Sequence, residues 1–264
     1  MIKRLLNALY GLRYLDLLIF LLIFWQIFSS FIYPHFEPRS SIFLPSFSRV
    51  LKELWQLSIN GVLWQHILYS FKRVMVGFSL ASVCGISLGF IMGLSRTASK
   101  QLEGLCAVLR PIPPVAWIPL SLLWFGVTEK QQFFIIFIGA IFPVLFNTLD
   151  GVRGIPSEYK NVARSLGIHK SLLFKKVILP AAIPKIMLGL RSGMGFSWFI
   201  IVAAEFVSAP RGLGYLILEG RNVILTERIF VGMIVIGCIN LIFYYMLTKI
   251  ENILAPWQKM NLDE

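Results

Sequence analysis

Few residues in this chain could make or break bonds, and their spacing assembles no reaction centre. His35, His66 and His169 lie in three separate regions without ligand spacing, so no metal site is read from them. The sequence has no Gly-x-x-x-x-Gly-Lys-Ser/Thr phosphate loop, no nucleophile motif and no acid–base pair. It reads as a non-enzyme without a cofactor. The stretch whose residue types invite a chemical reading runs from Ser157 to Pro184, SEYKNVARSLGIHKSLLFKKVILPAAIP. Lys160, Arg164, Lys170, Lys175 and Lys176, with Lys185 just beyond, share it with Val162, Ala163, Leu166, Leu173, Val177 and Leu179 at helical intervals. Such a surface does non-covalent chemistry. It can dock a soluble partner, or it can lie as an ordinary basic loop on lipid headgroups.

Helices must position these residues. Ser157 after Pro156 suits a helix cap, with Glu158 in the first turn where the helix dipole favours a carboxylate. Gly167 supplies a left-handed stop, and a second short helix is expected from about Ser171 to Leu179, ended by Pro180.

The surroundings are membrane-like. Of 264 residues, 57% are hydrophobic and 14% charged, and the apolar ones are gathered in blocks. Leu17–Phe36, Val74–Ser95, Pro111–Thr128, Phe133–Leu149 and Ile229–Thr248 hold no Asp, Glu, Lys or Arg. A sixth block, Ile186–Val207, carries only Arg191 and Glu205. Each reaches or approaches the ~20 residues that cross a bilayer. The expectation is an all-α integral membrane protein with six transmembrane helices. It divides into an anchor helix and external amphipathic segment (1–73), a core (74–250, with the loop 150–185) and a tail (251–264). The net charge of +12 would suit nucleic acid, but the cations cluster in the loop after the fourth span. That follows the positive-inside rule, excludes a nucleic-acid role and puts both termini in the cytoplasm. Cys84, Cys106 and Cys238 fall in or beside spans, where no disulfide is expected.

Within the spans, Gly77, Ala81, Gly85, Gly89 and Gly93 recur every four residues, as do Gly189, Gly193 and Ser197. Faces without side chains let helices approach closely in lipid, either within the chain or at a subunit or gate interface. Pro111, Pro113, Pro114 and Trp117 open the third span with irregular backbone, which is tolerated only inside protein or against a water-filled cavity. They are candidates for lining a translocation path, with Asn147, Ser197, Trp198 and Glu205. Glu205 has a second reading, a structural ion pair near the outer interface with Arg211 close by. Lys72 and Arg73 are expected to snorkel to outer headgroups.

The loop also carries a resemblance. Asn161-Val-Ala-Arg-Ser-Leu-Gly167, nine residues, then Val177-Ile-Leu-Pro180 resembles the signature loop of ABC-importer permeases, Glu-Ala-Ala, three residues, Gly, nine residues, Ile, one residue, Leu-Pro. Ala163, Gly167, Leu179 and Pro180 match, while Asn161, Val162 and Val177 replace Glu, Ala and Ile. Leu44-Pro45-Ser46, Leu63 to His66, Arg110 to Pro114, Leu123-Trp-Phe-Gly126, Leu179-Pro-Ala-Ala182, Val202-Ala-Ala-Glu205 and Gly212-Leu-Gly-Tyr215 are similar to the nitrate, sulfonate and taurine branch of that family. The resemblance implies a type I importer permease in the bacterial inner membrane, moving a small anionic or zwitterionic solute. It implies two cytoplasmic ABC ATPases, a second permease copy in a homodimer and a periplasmic solute-binding protein. Glu158, Asn161, Val162, Ala163, Arg164, Gly167, Leu179 and Pro180 would then meet the ATPase. An ion-coupled secondary transporter or a channel is the alternative.

Overall fold

The computed structural model describes residues 16–36 and 43–257, apart from the side chains of Pro34, Phe36, Lys160 and Arg164. The expected basic lead and the end of the tail lie outside the described residues. Those described form helices and connecting turns, with no strand among them. Helices α1 (Asp16–Ile32), α2 (Phe47–Ile59), α3 (Val62–Leu94), α4 (Arg96–Leu109), α5 (Ile118–Phe125), α6 (Glu129–Arg153), α7 (Ser157–Ser165), α8 (Lys170–Ser208), α9 (Leu213–Asn222) and α10 (Thr226–Leu254) follow in order.

Four of these, α3, α6, α8 and α10, are long and apolar enough to cross a membrane. The expected third span is not one continuous helix. After α4 the chain bends by 85° into a short 3-10 turn, Pro114–Trp117, and then α5. Those pieces of four and eight residues reach only about 18 Å at helical rise, against ~30 Å of hydrocarbon. The prolines are the cause, since they withhold backbone donors where a straight helix would need them. Counting the bent pair as one span gives five, and α1 is a shorter apolar helix.

The chain divides into two compact units, Met1–His66 with Leu216–Val235, and Ile67–Tyr215 with Ile236–Glu264. In the first, Trp25 of α1 packs at a tilt against Phe47 and Phe230, with ring centroids 5.5 and 5.1 Å away, and donates its indole N–H to the Pro45 carbonyl at 3.1 Å. Arg228 reaches Glu53 at 3.1 Å and Glu219 at 3.3 Å.

The second unit is built on α6, which has α3 on one face and α8 on another. A Cβ on Gly77 would meet Ile136 at 2.7 Å, on Gly85 Val144 at 3.0 Å, on Gly89 Thr148 at 2.6 Å and on Gly93 Val152 at 2.6 Å. The pairing does not slip along the helices. Each glycine meets the residue the same number of positions further along α6, so α3 and α6 run parallel, backbone nearly on side chain. On α8, Gly189 meets Asn147 and Gly193 meets Val144, descending, so α8 runs antiparallel to α6. Val144 is wedged between two glycines. Van der Waals packing of this kind is what holds helices together in lipid, where water exclusion contributes nothing.

Candidate functional site

The loop expected to carry function begins where α6 ends. Ser157 is the first residue of α7 rather than its flanking cap, and its hydroxyl donates to Glu158 at 3.5 Å. Gly167 adopts φ +69°, and the Ile168 N–H bonds the Ala163 carbonyl at 3.0 Å, closing the helix with a left-handed residue. His169 then caps α8 by accepting the Ser171 N–H at 3.3 Å, a role the bare sequence did not suggest.

The expected short helix ending at Pro180 is corrected. The chain runs without a break from Lys170 to Ser208, so that helix is the beginning of a span. What makes Pro180 tolerable is a π-helical turn at Phe174–Ile178, which widens the backbone where the proline ring would otherwise strike the carbonyl of Lys176. The loop is rooted by Val152, Ile155, Ile178, Ala182 and Ile186, with Phe174 edge-on to Phe90 at 5.1 Å.

Above this root the apolar positions of α7 divide. Ala163 turns inward and is 4% exposed, whereas Tyr159, Val162 and Leu166 are 62%, 60% and 71% exposed. Their i, i+3, i+7 spacing aligns them on one face. Glu158, Asn161 and Gly167 are also exposed, and Leu179 and Pro180 are half-buried at the base of α8. Arg164 has its backbone in α7. The loop candidates thus lie on α7, on the turn that closes it and at the base of α8, and this helical knob carries an exposed apolar stripe.

The path candidates are not brought to one lining. Pro111 and Pro113 are exposed, Pro114 is half-buried, and Trp117 lies near Phe134 with its indole N–H buried and unpartnered. Asn147 is half-buried and donates to the Pro143 carbonyl at 2.8 Å. Ser197 and Trp198 are buried, the first donating to the Gly193 carbonyl at 2.8 Å and the second packing near Phe243.

Glu205 is the centre of a buried polar knot. Its carboxylate accepts from Ser70 Oγ at 2.7 Å, Arg73 Nη1 at 2.8 Å and the Gly214 N–H at 2.7 Å. Ser70 in turn accepts the Leu213 N–H at 2.8 Å, and Arg73 also donates to the Arg211 carbonyl. Two expectations are corrected here. The charge partner of Glu205 is Arg73, not Arg211, whose guanidinium lies over the Tyr69 ring. Arg73 does not snorkel, because α3 is already helical from Val62, which puts Ser70 and Arg73 on one face turned into the bundle. Lys72, a neighbour on another face, is exposed and pairs with Glu129 at 2.9 Å. The second charge inside a span, Arg191, pairs with Glu251.

A family model for the inner membrane component of binding-protein-dependent transport systems matches residues 83–259. An ABC transporter permease protein of Methanocaldococcus jannaschii is 44% identical over 202 residues, 76% of either chain. The nitrate import permease of Synechocystis sp. is 36% identical over 245 residues, covering 89% of this chain and 86% of its own. The bicarbonate transport permease of Synechococcus elongatus is 41% identical over 226 residues, 84% and 81% of the two chains. An all-helical, multi-pass membrane chain with this match belongs to the family of inner membrane components of binding-protein-dependent transport systems.

Proposed function

We propose that this chain is the transmembrane subunit of an ATP-driven importer for a small oxyanion or zwitterion, and that the α7 knob is where a separate cytoplasmic ATPase engages it. The carrying observation is the exposed stripe Tyr159, Val162 and Leu166 on a firmly rooted loop. Two exposed apolar residues of α7 and a third in the turn that closes it suit a contact with another protein. Asn161 stands in that surface without the charge of the usual Glu, and Glu158 supplies a carboxylate one position short of a turn away. In the proposed cycle, two ATPase subunits close, each pulls one knob of a permease dimer, and the rooted loop passes the displacement to α8 and α6. The membrane cavity then opens alternately to either side. In this reading the bent α4–α5 segment, with Pro111 and Pro113 exposed, borders the path, and Asn147 joins it only if the helices move. On the same reading α1 and the bent pair each count as a span, six in all, and the positive-inside rule then assigns both termini and the knob to the cytoplasmic side. A solute-binding protein delivers the solute at the opposite face. The solute class proposed is supported by the names of the relatives, which carry nitrate, taurine, sulfonate and bicarbonate.

The paired state of the intramembrane charges favours this reading over an ion-coupled carrier. Glu205 is held by Arg73 and Arg191 by Glu251, so neither stands alone as an ion-coupling group. The deciding experiment reconstitutes the chain with its ATPase and binding protein and measures ATP-dependent uptake. Val162→Asp/Leu166→Asp should lower uptake at least tenfold and release the ATPase on purification, with the melting temperature unchanged. Uptake at the wild-type rate in that variant, or uptake driven by an ion gradient without nucleotide, overturns the proposal.

A further inference from the structure

Beside the Gly167 turn, and apart from the exposed stripe, a cavity of about 1200 Å³ opens between the end of α3, the start of α4, Arg153 and the start of α8. Its polar wall carries four cations, Arg96, Lys100, Arg153 and Lys170, against a single carboxylate, Glu103. That carboxylate is already committed, because Arg153 bonds both Glu103 and Ser99, and Ser99 donates to Glu103 at 2.9 Å. Among the described residues no carboxylate pairs with Arg96, Lys100 or Lys170. The helices do not compensate them. Arg96 and Lys170 are the first residues of α4 and α8, and neither helix has an acidic residue in its first turn. The partial positive charge of each helix start therefore adds to the cations instead of opposing them.

Three like charges facing one cavity repel each other, and an anion between them removes that cost. The lining also includes the apolar residues Met92, Leu94, Leu173, Phe174 and Ile178. The volume exceeds what a lone phosphate fills and matches a drug-sized or larger ligand. The charge-free apolar block Val74–Ser95 ends beside the cavity, so the membrane reading puts the cavity near a hydrocarbon boundary. Basic pockets between membrane helices at such a boundary suit acidic lipid headgroups.

We infer that this cavity is a phosphate-binding site occupied by the headgroup of an acidic phospholipid, with Arg96, Lys100 and Lys170 as its donors and an acyl chain along the Leu94–Phe174 wall. The inference needs only the membrane reading, so loss of ATPase docking in the Val162/Leu166 variant would leave it standing.

The test places the purified full chain in nanodiscs of phosphatidylcholine containing one-tenth phosphatidylglycerol and reads retained lipid by native mass spectrometry. Wild type should hold phosphatidylglycerol in preference to phosphatidylcholine. Arg96→Gln/Lys100→Gln/Lys170→Gln should lose that preference, by about fivefold for each cation removed. A control with the same formal charge, Lys130→Gln/Arg221→Gln/Lys249→Gln, should keep it, and so should the charge-preserving Arg96→Lys. In a second arm, millimolar inorganic phosphate is added to lipid-stripped chain in detergent. A rise in melting temperature in wild type but not in the triple variant supports the phosphate site. If that rise comes without phosphatidylglycerol retention, the lipid source is overturned in favour of a soluble anion. Equal retention by the triple variant overturns the site, as does the absence of both lipid preference and phosphate response. If the triple variant loses only ATPase binding, the cavity is a protein contact and the lipid inference fails.

Discussion

Glu205 receives three hydrogen bonds, two from one face of α3 and one from the backbone of α9, and every one of its partners is also buried or backbone. Removing one side of such a pair leaves a charge with no water to solvate it. Glu205→Ala should therefore cost about 3–5 kcal/mol, and Arg73→Met/Glu205→Leu should recover most of that loss. Thermal unfolding of the detergent-solubilised chain checks both. Gly212 belongs to the same knot. It has φ +144°, and any Cβ there would run into the Glu205 carboxylate. Gly212→Ala should lower the melting temperature, whereas Gly104→Ala, in an open helical position, should raise it slightly. The sequence made Glu205 visible, since an acid inside an apolar block stands out, but not its partner. Arg73 lies 132 positions away, and Arg211 was the nearer candidate. Only the helical phase of α3, set by where that helix begins, turns Arg73 inward. Ala163, Val162 and Leu166 teach a similar lesson. Their periodicity was readable, but which of them faces inward depends on the root beneath the loop.

At the scale of elements, the bare face of α3 was the most legible feature. Glycines every four residues leave a bare face, and only a bare face permits the approach seen between Gly89 and Thr148. Whether that face served the chain itself or another subunit could not be read from spacing, because both uses need the same residues. Gly89→Ala sets a Cβ 2.6 Å from that of Thr148, so the two helices must part. A loss of about 1–3 kcal/mol is expected, measurable as a lower midpoint in denaturant, with Gly104→Ala as the control. The ends of elements were far less legible. Pro180 reads as a stop in one dimension, yet the helix passes through it because a wider turn precedes it. Pro111 to Pro114 do break their segment, and the pieces that follow are too short to cross alone. Proline thus has two outcomes here, and the local backbone pitch decides between them.

For the whole molecule, family membership came from matches spread along the chain, from Leu44 to Tyr215, and not from a single motif. The loop signature alone departs from its pattern at Asn161, Val162 and Val177. Asn161→Glu restores the usual charge at a position exposed on the knob. If the ATPase engages there, this variant should dock at least as firmly as wild type, checked by co-purification under rising salt. The widened turn at Phe174–Ile178 has one more consequence. A π turn is one residue longer than the α turn it replaces, and one residue is about 100° of helical rotation. It therefore works like an offset tooth in a gear, setting the compass bearing of the knob about the axis of α8. Deleting Lys176 together with Pro180→Ala would leave a span of ordinary pitch, still inserted, with its handle pointing a quarter-turn or more astray. If the knob is the proposed ATPase contact, such a chain should reach the membrane in normal amounts and lose ATP-dependent uptake.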